Sequence, residues 1–403
     1  MATGTAGGLL DSNDHAQSSF KHAIIRHYVL PYVAMTGSTS KDHRVAVMDG
    51  FAGRGRFKDL SPGSAELIMQ AVETLQRSRT VDMFFAETDP DNYRALSAVV
   101  QEYADKGLSA RTLPGSAEEH LETVVAAARG IPLFLFLDPC GALVPFPKLA
   151  RLLGSDRRSK WPPTEILMNF SADFTRRAAG QLAAERSNEG GVVRMDATCG
   201  GTWWREVAMS AYRSSPRDNF ETAAEEVVGR YAERLIRESG MSAITVPVRR
   251  RLHHQPVYHL VFLTRSPYGI WVFADALGHA RREWLRMIGR LDDDRNVQET
   301  FPGMSRSDDM QQLIAYEQDS AQKIVEANLI KLARPGQAPV RLVDHARQVF
   351  GDAYGIATDS VVSDAIAALE TRGELTVPGP ATRVRNRVIG PPGQDSQGGV
   401  RRR

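Results

Sequence analysis

Three observations predict a doubly wound α/β fold, with a mostly parallel sheet closed by an antiparallel hairpin. Strand-like and helix-like runs alternate from residue 44 to residue 185, the pattern of successive βα units. Residues 131–138 read Ile-Pro-Leu-Phe-Leu-Phe-Leu-Asp, apolar on both faces, as in a parallel strand covered by helices. Further on, the β-rich runs Ala243–Val248 and Val257–Thr264 are separated by only eight residues. A parallel crossover needs about a dozen or more, so these two strands form a hairpin. A small winged-helix-like domain is predicted behind this sheet.

Each element has its own warrant. Residues 1–17 are small and polar and read as a flexible tail. From Lys21 to Val33, the residues Ile24, Ile25, Tyr28, Val29 and Tyr32 recur at helical spacing. Strands are expected at Arg44–Asp49, Val81–Glu87, Ala110–Leu113, Ile131–Asp138 and Glu165–Phe170. Helices are expected between them at Ala65–Gln76, from Pro90 (a residue suited to a first turn), at Ala117–Arg129, Phe146–Leu153 and Ala172–Glu185. A Ser/Asn/Gly linker at 187–191 precedes helices at Trp203–Arg213 and Phe220–Ser239, and the hairpin follows. Residues 288–330 are charged and largely helical. Beyond Pro335–Pro339 come Leu342–Phe350, Ser360–Thr371 and two short β runs, 375–377 and 384–388, around a Pro-Gly-Pro turn. Helix, helix and wing in that order predict the winged helix. The expected division is a tail (1–17), a sheet domain (18–288), a helical linker (289–338), a winged-helix-like domain (339–389) and a disordered basic tail (390–403).

Composition narrows the function. At 403 residues, 42% hydrophobic and 24% charged, the chain can bury a large core and fits more than one domain. Its 50 Lys and Arg against 48 Asp and Glu leave a net charge of +2, which argues against a protein coated in positive charge. Residues 331–403 hold 11 basic and 7 acidic residues, so any nucleic-acid contact is expected through the C-terminal domain. Two cysteines exclude a disulfide framework and suit a reducing cytoplasm. The N-terminus lacks a basic start and an apolar stretch, so no signal peptide is expected, and no run suggests a membrane partner.

The chemistry gathers where strands are expected to end. Asp49-Gly50-Phe51-Ala52-Gly53-Arg54-Gly55 carries the first strand into a glycine turn, at the end of a βα unit where ligands bind in α/β sheets. Gly53 and Gly55 let the backbone approach a nucleoside, and Asp49 can hold an ammonium. A plain glycine turn is the alternative. Glu87 ends the second strand, where a carboxylate can accept bonds from ribose hydroxyls or cap the next helix. Ser116 stands where adenine would lie, or caps a helix. Asp138 ends the fourth strand and is the first candidate for orienting an acceptor or handling its proton. Beside it, Cys140 is either a nucleophile, as in cytosine-C5 chemistry, or a small buried residue. Asn169 ends the fifth strand on the same rim, shaping an acceptor pocket or a turn. His253, His254 and His259 lack acidic or thiol companions, so no metal is expected. Arg383, Arg385 and Arg387 on the wing could face phosphate.

Five βα units closed by a hairpin are, by analogy, the topology of class I S-adenosylmethionine-dependent methyltransferases. The motifs together resemble the three-Cys-motif partner (TcmP) family over residues 20–285. They are Lys21-His22, Asp49-Gly50-Phe51-Ala52-Gly53 with Gly63-Ser64, Glu87, Phe136-Leu137-Asp138-Pro139-Cys140-Gly141, Asn169-Phe170-Ser171 and the Tyr258–Thr264 strand. The resemblance departs from the family at Arg54, Ser116 and Cys140. It implies a methyltransferase-like fold, S-adenosyl-L-methionine as cofactor, and a radical-SAM-like protein with three cysteines as partner. Asp49, Gly50, Phe51, Ala52, Gly53, Gly55, Glu87, Ser116 and Asp138 would then hold the cofactor, with Asp138, Asn169 and Cys140 on the acceptor side.

Overall fold

The computed structural model describes residues 16–215, 220–295, 306–380 and 383–392. Most of the expected tails, 1–15 and 393–403, lie outside these residues. The chain divides into two compact units, one made of Met1–Ser18 and Val29–Arg265, the other of Ser19–Tyr28 and Ser266–Arg403.

The first unit is built on a seven-stranded sheet. Its strands are β1 (Arg44–Asp49), β2 (Thr80–Glu87), β3 (Ala110–Pro114), β4 (Leu133–Leu137), β5 (Thr164–Ser171), β6 (Ser242–Arg249) and β7 (Pro256–Thr264). Their spatial order is β3-β2-β1-β4-β5-β7-β6. The first five run parallel, and β7 is antiparallel to both β5 and β6. This is the expected sheet closed by the expected hairpin. The order reverses between β1 and β4, and a crevice opens at such a switch point, beyond the carboxyl ends of the strands.

Helices cover both faces of the sheet. They are the later part of α1 (Ala16–Thr39), then α2 (Ser64–Glu73), α3 (Pro90–Ala104), α4 (Ala117–Ala127), α5 (Phe146–Arg151), α6 (Ala172–Ala183), α7 (Gly190–Cys199), α8 (Trp203–Ser214) and α9 (Glu221–Ser239). Local chemistry sets several starts. Asp89 caps α3 by accepting from the amides of Asp91 and Asn92 at 3.0 and 2.9 Å. Ser116 and Glu119 form a reciprocal capping box at α4. Ser171 accepts from Phe174 N at 3.1 Å to open α6. Helix α7 begins inside the stretch expected to be a linker, and it buries Val192, Met195 and Cys199.

The second unit differs from the expected division. Helix α10 (Pro267–Arg295) opens it instead of closing the sheet domain. Helix α11 (Arg306–Leu332) is no linker, because Ala321, Val325 and Leu329 lie in the same core as Trp271, Phe350, Val362 and Ile366. The other elements are β8 (Val340–Arg341), α12 (Ala346–Phe350), α13 (Asp359–Thr371) and β9 (Val388–Ile389), with β8 antiparallel to β9. The wing expected from regular strands is reduced. Residues Val384–Asn386 form a 3-10 turn, and Thr376 makes only an isolated bridge to Gly390. Arg385 is buried and pairs with Asp359 at 3.6 Å, so it does not face phosphate as expected. Phe20 and Tyr28 of α1 meet Trp284 and Phe273 edge-on within this unit.

Candidate functional site

The crevice begins at the end of β1, a strand buried from Val45 through Asp49. Gly50 N donates to Phe136 O at 2.9 Å, tying this turn to β4. A side chain at Gly50 would lie 2.8 Å from both Ala117 Cβ and Leu137 Cδ2. Replacing Gly50 by Ala is therefore expected to destabilise the fold by ~1–3 kcal/mol, read from denaturant unfolding, since neither neighbour can move without disturbing a packed strand or helix. Gly53 and Gly55 have φ of 59° and 75°, conformations that side chains disfavour. The rest of the turn is clamped. Gly63 N donates to Gly55 O at 2.9 Å. Arg56 makes a forked pair with Glu66 at 2.8 and 2.6 Å, and also reaches Glu102 at 2.9 Å.

Asp49 departs from the expectation that it would grip an ammonium directly. It is fully buried, and its oxygens accept from Ser64 Oγ at 2.6 Å and Phe51 N at 3.0 Å. Its pKa is raised to about 7, chiefly by burial. The Ser64 and Phe51 bonds oppose the rise, while the negative charges of Asp138 and Glu87 add to it. Three carboxylates, at the ends of β1, β2 and β4, thus share one region.

Glu87 is half-buried at the end of β2, and its Oε1 accepts from Asp89 N at 2.7 Å. The cap of α3 is Asp89, so Glu87 is not the capping group. Ser116 is committed to its capping box, Oγ accepting from Glu119 N at 3.3 Å. Phe51 and Ala52 lie in the turn, with Ala52 N bonded to Ala86 O at 3.0 Å.

On the β4–β5 side, Asn169 Nδ2 donates to Asp138 Oδ1 at 2.7 Å. Asn169 is 5% exposed, and its Oδ1 is buried without a hydrogen-bond partner. Tyr258 on β7 lies opposite Ser171. Its phenol is raised well above its usual pKa, first by burial and then by the charge of Asp138. Cys140 is exposed, so the small buried residue is not its explanation. A side chain at Gly141 would meet nothing within 4 Å.

The sequence brought Asp49, Glu87, Asp138 and Asn169 to one rim, and the structure places them there. It missed Ser64 as the partner of Asp49 and Tyr258 as the neighbour of Asp138. Ser64 carried a signal, a hydroxyl beginning the helix after the glycine turn. Tyr258 carried none, because its position depends on the pairing of β5 with β7.

His259 lies apart, on β7 opposite Phe170. Both its ring nitrogens are buried without partners, and its pKa is lowered to about 4 by burial and then by Arg249 and Arg176. Among the described residues, no group of three His, Cys, Asp or Glu is placed to hold a metal ion, and no helix is long and apolar enough to cross a membrane. A groove of about 420 Å³, lined by Leu121, Val125, Arg129, Lys148, Arg151 and Pro162 among others, lies before the amino ends of β4 and β5. It is at the wrong end of the sheet for the carboxylates.

No protein-family model matches the chain, and no curated protein matches it. Solved structures similar to it include a Staphylococcus aureus protein provisionally assigned as a caffeoyl-CoA O-methyltransferase, at 10% identity and TM-score 0.32, over 59% of this chain and 80% of that one. The methyltransferase domain of bacterial CtHen1 is similar at 8% identity and TM-score 0.29, over 60% of this chain and 99% of that one. P. horikoshii TYW2 in complex with MeSAdo is similar at 11% identity and TM-score 0.24, over 63% of this chain and 62% of that one.

Proposed function

We propose that the chain is an S-adenosylmethionine-dependent methyltransferase. The observation that carries this reading is the gathering of Asp49, Glu87 and Asp138 around a glycine turn at the switch point of the sheet. The charges of those two carboxylates, Glu87 and Asp138, both raise the pKa of buried Asp49. A site with that field favours a positively charged ligand. S-adenosylmethionine carries a sulfonium and an ammonium, and its ribose offers two hydroxyl donors to the rim. When bound, it supplies an electrophilic methyl group to an acceptor.

The residues of the chain then divide the work. Glu87 would receive the ribose hydroxyls, with its Oε1 already steadied by Asp89 N. The Gly53–Gly55 backbone would lie against the nucleoside. Asp49, out of direct reach, would act through space and hold the turn by its bonds to Ser64 and Phe51 N. Asp138 and Asn169 would face the acceptor. Catalysis on such a site is mostly alignment. The test is calorimetric titration of the full chain with S-adenosylmethionine. Saturable one-site binding is expected, and a flat titration rejects the proposal.

The finer reading, a three-Cys-motif partner acting with a three-cysteine radical-SAM-like protein, rests on the sequence motifs and the resemblance they carry. Contact with nucleic acid through the C-terminal unit is a weaker proposal, because Arg385 is spent on Asp359 and α13 contains Asp364 and Glu370. The cytosine-C5 reading with Cys140 as nucleophile gains only the exposure of that thiol.

A further inference from the structure

We propose that the methyl acceptor is an amine nitrogen bearing two hydrogens, received by Asn169 Oδ1 and the Asp138 carboxylate. This rests on the methyltransferase reading and names its substrate class.

Asn169 has one carbonyl oxygen and one amide nitrogen, and hydrogen bonding assigns them different fates. The nitrogen is used, donating to Asp138 Oδ1 at 2.7 Å. The carbonyl oxygen is buried and has no partner in a residue only 5% exposed. A buried acceptor left without a donor is costly, so it is expected to be met when the site is filled. What meets it must be a donor. Asp138 beside it is half-buried, and an ionised carboxylate also only accepts. The donor of Asn169 is already spent on Asp138, so this wall presents acceptors to a substrate.

That chemistry separates the nucleophiles. A hydroxyl or thiol brings a single donor hydrogen, which can meet only one of the two acceptors, and a carboxylate brings none. A primary amine places two N–H donors against them and keeps its lone pair free to point across the crevice.

The step balances without another reactant. The nitrogen lone pair forms the new N–C bond as the methyl–sulfur bond breaks, and the sulfur keeps that electron pair to become a neutral thioether. The nitrogen becomes a methylammonium, and its extra proton passes to the Asp138 carboxylate and on to solvent. Asn169 holds the second N–H, which fixes the lone-pair direction.

The test supplies methyl-labelled S-adenosylmethionine to the full chain with a panel of probes: adenosine, cytidine, aniline and benzylamine as amines, and phenol, thiophenol and benzoate as the others. Mass spectrometry is expected to find N-methyl product from at least one amine and none from the second group. Asn169→Leu is expected to lower amine turnover ~10- to 100-fold, as for loss of one substrate hydrogen bond, with the affinity for S-adenosylmethionine unchanged. Methylated phenol, thiol or carboxylate overturns the proposal. So does an absence of amine product while S-adenosylmethionine binds, or an Asn169→Leu variant with full amine turnover. A chain that fails to bind S-adenosylmethionine overturns the methyltransferase reading instead, and this proposal with it.

Discussion

Replacing Asp49 by Asn is expected to stabilise the chain above neutral pH and to matter little in acid. The folded carboxyl titrates at about 7 against an ordinary value of 3.8, because the group is buried and faces Asp138 and Glu87. Below the ordinary value both the folded and the unfolded chain hold the proton, and burial carries no charge penalty. As the pH rises from there to about 7, the unfolded chain releases the proton and the folded chain keeps it, so stability falls. Above about 7 both forms are ionised and the loss levels off, at on the order of 4 kcal/mol for a shift of this size. Asn keeps the two contacts, accepting from Phe51 N and donating to Ser64 Oγ, without the charge. Urea unfolding of both proteins at about pH 4 and about pH 8 measures the gap, which should widen with pH. A gap that is constant across that range would mean Asp49 is not held in the state described.

The same carboxylate makes ligand binding sensitive to pH. A cation entering the crevice favours ionised Asp49, so binding of S-adenosylmethionine should release a proton near neutrality and tighten as the pH rises through 7.

Glu87→Gln is expected to weaken S-adenosylmethionine binding ~10- to 100-fold, from loss of charge-assisted bonds worth about 1.5–3 kcal/mol each. Gln is chosen over Ala because its Oε1 can keep the bond from Asp89 N, 2.7 Å in the native chain, and so preserve the turn into α3. Its Nε2 cannot accept a ribose hydroxyl. Calorimetry gives the affinity and thermal unfolding checks that the turn survives. Unaltered affinity would take the ribose role away from Glu87.

How much of this the sequence revealed depends on whether the cause is local. Strand β1 was read to the residue at Arg44–Asp49, because an apolar run ends in an acid and a glycine. The hairpin followed from loop length alone. Helix α7 was missed because it opens on Gly190 and Gly191, residues that weaken a helix, and is held by the burial of Val192 and Met195. The unit boundary was placed too late for a related reason. Helical periodicity shows that α10 buries a face, and it does not show that Trp271 joins Phe350 and Val362. The acid at the end of β1 was legible as a site residue. Its confinement was not, since that depends on a hydroxyl fifteen residues on and on carboxylates from two other strands.

The make-up of the second unit has a consequence for synthesis. Its segment Ser19–Tyr28 is made well before the rest of the unit, Ser266 onward, with the whole seven-stranded sheet between them. Phe20 and Tyr28, buried in the finished protein against Trp284 and Phe273, must wait for that cover until the sheet between has been made. The unit closes only once Ser266 onward has been made, so a nascent chain stalled before that point carries an adhesive helix that chaperones would be expected to shield.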